Sequence, residues 1–424
     1  MNPTAPSAPP SVRATIGVAL AAAVAGGVLS AGYGVVLNAL VEQRELEAGL
    51  LSVCVSAALA TLGFGAVFVT GLMRKVGGPL VVLIGALIAG GSLVALGRVT
   101  SEPAVLIVSV ALAVGLLLGA VAPLAAYIGS AFSHSKGAGI LTALSGWSVG
   151  AVVAAGALPN LVDDHGVRDT LTGVAVAATG LLAVAAVVFV RRADAFAEAP
   201  RIDHLTGGVP YHLALRTRFF GCVTAAYTAI VGVQLGAVLH LYRLVNERAG
   251  KPAAHTALVV FAVSGLVSRF VVAAAVSRFD KLRSLLWMAV VQAIALGVLS
   301  VAMSHWALYA GAGALAAADV TMLAVLPLLL FDRFGSHDFG LILGRAIYIM
   351  VAGFAAGPAL FGIMYDTEGY TAAYLIGGAL TLLGWVVLGA AGTGRRRPRA
   401  AETPVIERPV AGAIPEAAPR PDPA

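Results

Sequence analysis

The chain has 424 residues, of which 59% are apolar and only 11% charged, with a formal net charge of +6. A polar coat cannot be assembled from so few charged side chains, which excludes an ordinary water-soluble globule and leaves a membrane protein. The basic residues are dispersed over short segments instead of being gathered on one face, which excludes a nucleic-acid footprint.

In chain order, a Pro/Ser-rich leader at 1–13 with one basic residue, Arg13, precedes twelve apolar runs long enough to cross a bilayer. They lie at approximately 14–41, 47–72, 78–97, 103–131, 138–161, 169–190, 212–241, 253–276, 284–303, 305–331, 339–365 and 370–391. The first run is too long for a signal-peptide core and has no cleavage motif before Glu42, so it is expected to be retained. Placing the N-terminus inside assigns nineteen of the 27 Lys and Arg residues to the cytoplasm and six to the outside, the positive-inside pattern. Both termini are therefore expected in the cytoplasm and the protein in the plasma membrane. The stretch at 193–211 is the one long polar connection, and the Pro/Ala/Arg/Glu-rich tail at 393–424 is expected to be disordered.

A shift of 203 residues organises the chain. Ser133-His134-x-x-Gly137 recurs as Ser336-His337-x-x-Gly340, and the same offset carries Lys75 onto Arg278, Leu83 onto Leu286, Gly150 onto Gly353 and Gly166 onto Gly369. This predicts an all-α membrane protein of twelve transmembrane helices in two pseudo-symmetric six-helix halves, at 14–192 and 212–392, joined by the 193–211 loop.

Three charged residues fall inside the apolar runs. Arg269 in the eighth and Arg345 in the eleventh each lie about 10 Å from the expected cytoplasmic edge, by helical rise, and Asp319 in the tenth lies about 18 Å deep. A cation at such depth costs about 2.5–3.5 kcal/mol on insertion scales and usually faces a protein interior or a watery path. Planar guanidinium groups grip carboxylates bidentately, so two on one cavity suit an organic anion. Alternatives stand beside this reading: Arg269 in a structural ion pair, Arg345 snorkelling to water, and Asp319 as either proton carrier or counter-ion. Tyr33, Tyr127, Gln234, Tyr348 and Asn38 are further hydrogen-bonding candidates, each equally able to hold helices together. Trp147 reads as packing.

Neither an enzyme nor a metal or cofactor site is expected. Cys54 and Cys222 lie in apolar runs, His134 and His337 stand at helix starts without ligand or triad partners, and no phosphate-binding G-x-x-x-x-G-K-[ST] segment occurs.

After the second run, Leu72-Met73-Arg74-Lys75-Val76-Gly77-Gly78-Pro79 resembles the G-x-L-A-D-R-x-G-R-R loop of the major facilitator superfamily, and Val276-Ser277-Arg278-Phe279-Asp280-Lys281 resembles its second copy. Arg74 and Ser277 stand where the signature has Asp. Gly32-Tyr33-Gly34-Val35-Val36, Phe132-Ser133-His134-Ser135-Lys136-Gly137-Ala138-Gly139, Gly265-Leu266-Val267-Ser268-Arg269, Gly357-Pro358-Ala359-Leu360-Phe361-Gly362 and Asp366-x-x-Gly369-Tyr370 are similar to segments of the monocarboxylate transporter and oxalate/formate antiporter branch. The resemblance spans residues 14–391. It implies the major facilitator fold and a carboxylate held by Arg269, with Arg345 at or next to the place of a second cation. Gly265 occupies the place of a carboxylate found one turn before the arginine in monocarboxylate carriers.

The expectation is thus a secondary transporter moving small mono- or dicarboxylates by alternating access, coupled to a proton or a counter-anion, and monomeric. Arg74, Lys75 and Arg278 would act in gating loops. The rival readings are drug efflux on the same fold, which calls for acidic and aromatic cavity residues, and a non-transporting membrane sensor, which calls for a signalling domain.

Overall fold

The computed structural model describes residues 12–44, 48–124, 137–190, 208–275, 278–335 and 338–392. The 393–424 tail, expected to be disordered, and the Ser-His pairs of the repeat lie outside them. The described chain is helical: α1 (Val12–Gly26), a π-helical turn (Gly27–Gly32), α2 (Tyr33–Arg44), α3 (Ala48–Val76), α4 (Gly78–Leu96), α5 (Glu102–Leu116), a second π-helical turn (Leu117–Val121), α6 (Gly137–Val190), α7 (Tyr211–Leu215), α8 (Arg218–Ala249), α9 (Lys251–Ala275), α10 (Lys281–Val301), α11 (His305–Phe334) and α12 (Phe339–Gly392). Nine stretches among the described residues are long and apolar enough to cross a membrane, and α3 adds the shorter apolar segment Ser52–Gly65.

The helices α6 and α12 are each 54 residues long, far more than one bilayer crossing needs, and each is two helices meeting at a kink. The kinks fall at Gly166 (φ 74°, ψ 166°) and Gly369 (φ 78°, ψ 177°), in a region of backbone space that only glycine enters without strain. The hydroxyl of Thr170 donates to the carbonyl of Leu161 at 2.7 Å. In an unbroken α-helix those positions would be separated by about 13.5 Å of rise, so the chain folds back at Gly166. The gaps expected between the fifth and sixth and the eleventh and twelfth apolar runs are therefore replaced by single-residue breaks.

Other boundaries differ from the sequence expectation in ways that follow from capping and charge. The seventh apolar run divides into a short helix, α7, and a later start at Arg218, because Thr217 accepts a hydrogen bond from the Phe220 amide at 3.2 Å and caps α8. At its other end α8 continues eight residues past 241 to Ala249, carrying Arg243, Glu247 and Arg248 on a helical extension. Asp280 caps α10 through the Arg283 amide and Ser304 caps α11 through the Ala307 amide, at 2.8 and 3.3 Å. The π-helical turns carry no sequence signal of this kind. The helix α12 runs through Pro358 with Gly369 as its non-helical residue.

Packing repeats the same pairing twice. A Cβ on Gly150 of α6 would overlap the Ala23 carbonyl of α1, and a Cβ on Gly353 of α12 would overlap the Thr228 carbonyl of α8. Such approach places backbone against backbone, and dispersion then replaces the hydrophobic driving force that lipid cannot supply. Large apolar side chains elsewhere face outward, among them Leu87, Ile107, Val176 and Trp287, each about 70% exposed and suited to lipid contact.

Candidate functional site

Small residues bring the buried charges together. Gly265 lets α9 lie against α11: a Cβ there would sit 3.4 Å from Val320 and 3.9 Å from Ala316. One turn along α9 from that contact is Arg269, 6% exposed, whose electrostatic partner is Asp319 on α11. The two form no ion pair; the guanidinium Nε–H donates instead to the hydroxyl of Ser148 at 2.9 Å. Ser148 is 4% exposed and lies on α6, so this bond joins α9 to a helix 121 residues earlier in the chain.

Ser148 is held from its other side. The indole Nε1–H of neighbouring Trp147 donates to Ser30 at 2.9 Å, and Gly146 and Gly150 press the same turn of α6 onto α1. Trp147 thus packs as expected and also fixes the turn that carries Ser148. A guanidinium has five N–H donors, and Ser148 is the hydrogen-bond partner of Arg269 among the described residues. Among the described residues one hydroxyl thus takes one of those donors, and the Asp319 carboxylate stands out of ion-pair contact.

Arg345 belongs to a second group. It is exposed on α12, with its guanidinium carbon 5.5 Å from the centroid of the Tyr348 ring, a cation–π contact worth about 0.5–1 kcal/mol at an exposed site. Tyr348 in turn meets Phe64 of α3 edge-on, with centroids 5.3 Å apart. Phe68 and Leu72, on the Phe64 face of α3 by i,i+4 spacing, are exposed, Phe68 by 77%. No hydrogen bond or ion pair among the described residues joins the Arg345 group to Arg269.

The remaining sequence candidates separate. Tyr33 on α2 is buried and lines a partly open apolar cavity of about 310 Å³ between α1, α2, α4, α5 and α6. Gln234 on α8 is fully buried with both amide atoms unpartnered. Asn38 donates to the Gly34 carbonyl of its own helix at 2.8 Å. Lys75 and Arg278 are exposed at loop ends. Tyr127, His134, His337 and the Arg74 side chain lie outside the described residues. Cys54 is buried and Cys222 partly so, and no cluster of His, Cys, Asp and Glu fit to hold a metal occurs among the described residues.

Two polar groups were missed by sequence reasoning. Ser148 is one; its signal is its place in Gly146-Trp147-Ser148-Val149-Gly150, where flanking glycines mark a helix pressed against a neighbour. The other is His240 on α8, 1% exposed, with Ser52 of α3 on one ring nitrogen and Tyr370 of α12 on the other.

The crystal structure of nucleoside transporter NupG superposes on this chain with a TM-score of 0.63 at 12% sequence identity, covering 90% of this chain and 98% of that one. No family model matches the sequence, and no curated protein matches it. The chain shares the fold of that transporter, and nine of its described helical stretches are long and apolar enough to cross a membrane.

Proposed function

We propose that the protein is a secondary transporter of small mono- or dicarboxylates, built of twelve helices in two six-helix halves, 14–192 and 212–392, that rock about a central site. The observation that carries this reading is Arg269: a buried guanidinium in an apolar span, with one neutral hydroxyl as its hydrogen-bond partner among the described residues. A structural role would be met by a close carboxylate, and Asp319 is not in ion-pair contact. Mirrored breaks at Gly166 and Gly369 and mirrored contacts at Gly150 and Gly353 support the two-half layout. Arg345, exposed against Tyr348, would offer a second cation to a dicarboxylate, and Asp319 would balance or carry the coupled charge. In the plasma membrane, with both termini in the cytoplasm, the 193–211 connection is cytoplasmic. No sensor domain is needed, and two arginines fit drug cations poorly.

The test is uptake into proteoliposomes of a panel of monocarboxylates, dicarboxylates and neutral nucleosides, with and without a proton gradient. Saturable uptake of a carboxylate that Arg269→Ala abolishes supports the reading. Nucleoside uptake alone, the activity in the name of the structural neighbour, overturns it.

A further inference from the structure

At the end of the molecule away from Arg345, polar contacts between the two helix groups stack in two layers. The inner layer is buried: Ser52 Oγ of α3 lies 3.1 Å from His240 Nε2 of α8, and His240 Nδ1 lies 3.2 Å from the Tyr370 hydroxyl of α12. A neutral imidazole offers one donor and one acceptor, and hydroxyl groups can serve as either, so this chain is satisfied in one tautomer. It is also tight, since a Cβ on Gly362 of α12 would overlap the Ser52 side chain. The outer layer is ionic. Lys251 of α9 pairs with Glu42 of α2 at 3.5 Å and with Asp163 of α6 at 3.7 Å, and Asp163 also meets His255 of α9 at 3.8 Å.

Each of these contacts except that between His240 and Tyr370 joins residues before 190 to residues after 211. A transporter that exposes its site to this face must part them together. We propose that the two layers form a latch that holds this face shut, with His240 as its buried bolt and Lys251 as its rim clasp, and that opening to this side begins by breaking the Ser52–His240 bond. The inference rests on the transporter reading with two rocking halves, but not on the substrate being a carboxylate. Residues that no transport chemistry requires, Ser52, His240, Glu42 and Lys251, thereby acquire a role in setting which face is open at rest.

The test needs no substrate. Leu239, 8% exposed, lies at the seam beneath the latch, where its carbonyl is 3.4 Å from the Cβ position of Gly34. In a background with Cys54→Ala and Cys222→Ala, Leu239→Cys is labelled with a membrane-impermeant maleimide added to the face that bears Lys251. Labelling is expected to be slow in that parent. Ser52→Ala, which leaves a buried nitrogen of His240 unpartnered, should raise the rate by about threefold to tenfold, and Lys251→Ala by about twofold to fivefold. His240→Gln, which can still reach both hydroxyls, should fall below Ser52→Ala. Unchanged labelling in both Ser52→Ala and Lys251→Ala overturns the latch, whatever is transported. Raised labelling in a protein that carries no carboxylate keeps the latch and overturns the substrate assignment alone.

Discussion

At the residue scale, the protein solves an electrostatic problem in an unusual way. A buried arginine is ordinarily matched by a carboxylate in contact, yet Arg269 donates to Ser148 and interacts with Asp319 only through space. Arg269→Ala is expected to weaken carboxylate binding about 30-fold or more, the consequence of losing about 2 kcal/mol or more of desolvated charge pairing, with the protein still inserted; binding by tryptophan fluorescence or scintillation proximity measures it. Wild-type affinity in a correctly inserted Arg269→Ala protein would make the residue structural. Arg345→Gln should discriminate between substrates, costing a dicarboxylate about tenfold more than a monocarboxylate, since only a dianion can use both cations; equal losses would confine Arg345 to its contact with Tyr348. Asp319→Asn should abolish stimulation of uptake by a proton gradient while preserving exchange if the carboxyl carries the proton, because the amide mimics its protonated form. Full stimulation in that variant would reduce Asp319 to a counter-ion. Among these side chains the charged ones were legible in the sequence, because a charge interrupts an apolar run. Ser148 and His240 were not: a serine between glycines, or a histidine seven residues before Glu247-Arg248, acquires meaning only when a partner 121 or 188 positions away comes into contact.

At the element scale, periodicity announced the apolar helices and missed how they are joined. Hydropathy records where the chain is apolar, and the stretches around Asp163-Asp164-His165 and Asp366-Thr367-Glu368 are polar enough to read as loops. They are helical because one glycine in each place takes up the whole change of direction. The 203-residue offset had marked both glycines, although it could not say what they did. Gly166→Ala and Gly369→Ala should each destabilise by about 1–3 kcal/mol, the cost of forcing a side chain into that backbone region. Thermal unfolding in detergent checks this, and an unchanged melting temperature for both would mean the kinks relax elsewhere. The π-helical turns at Gly27–Gly32 and Leu117–Val121 escaped notice for a different reason, since a one-residue insertion in a helix leaves composition untouched.

At the scale of the whole molecule, orientation is the property most readily put to test. The excess of Lys and Arg on one side predicts that the Arg-rich tail from 393 onward meets the cytoplasm. Protease added to intact cells should leave a C-terminal tag uncut, while the same protease acting on inverted vesicles should remove it; cleavage from outside would invert the topology.

The glycine breaks also bear on how the chain can be handled. At Gly166 and Gly369 two long helices are joined by a single backbone unit, with a hydrogen bond from Thr170 to Leu161 drawn across the first of them. Connections of that length hold no slack. An inserted epitope or fluorescent domain would have to unwind helix on both sides before its ends could meet, whereas a longer polar connection absorbs extra residues at little entropic cost. Joints of this kind transmit a tilt of one arm directly to the other, so the outer helices ending at Val190 and Gly392 should move in step with the inner ones that carry Ser148 and Arg345.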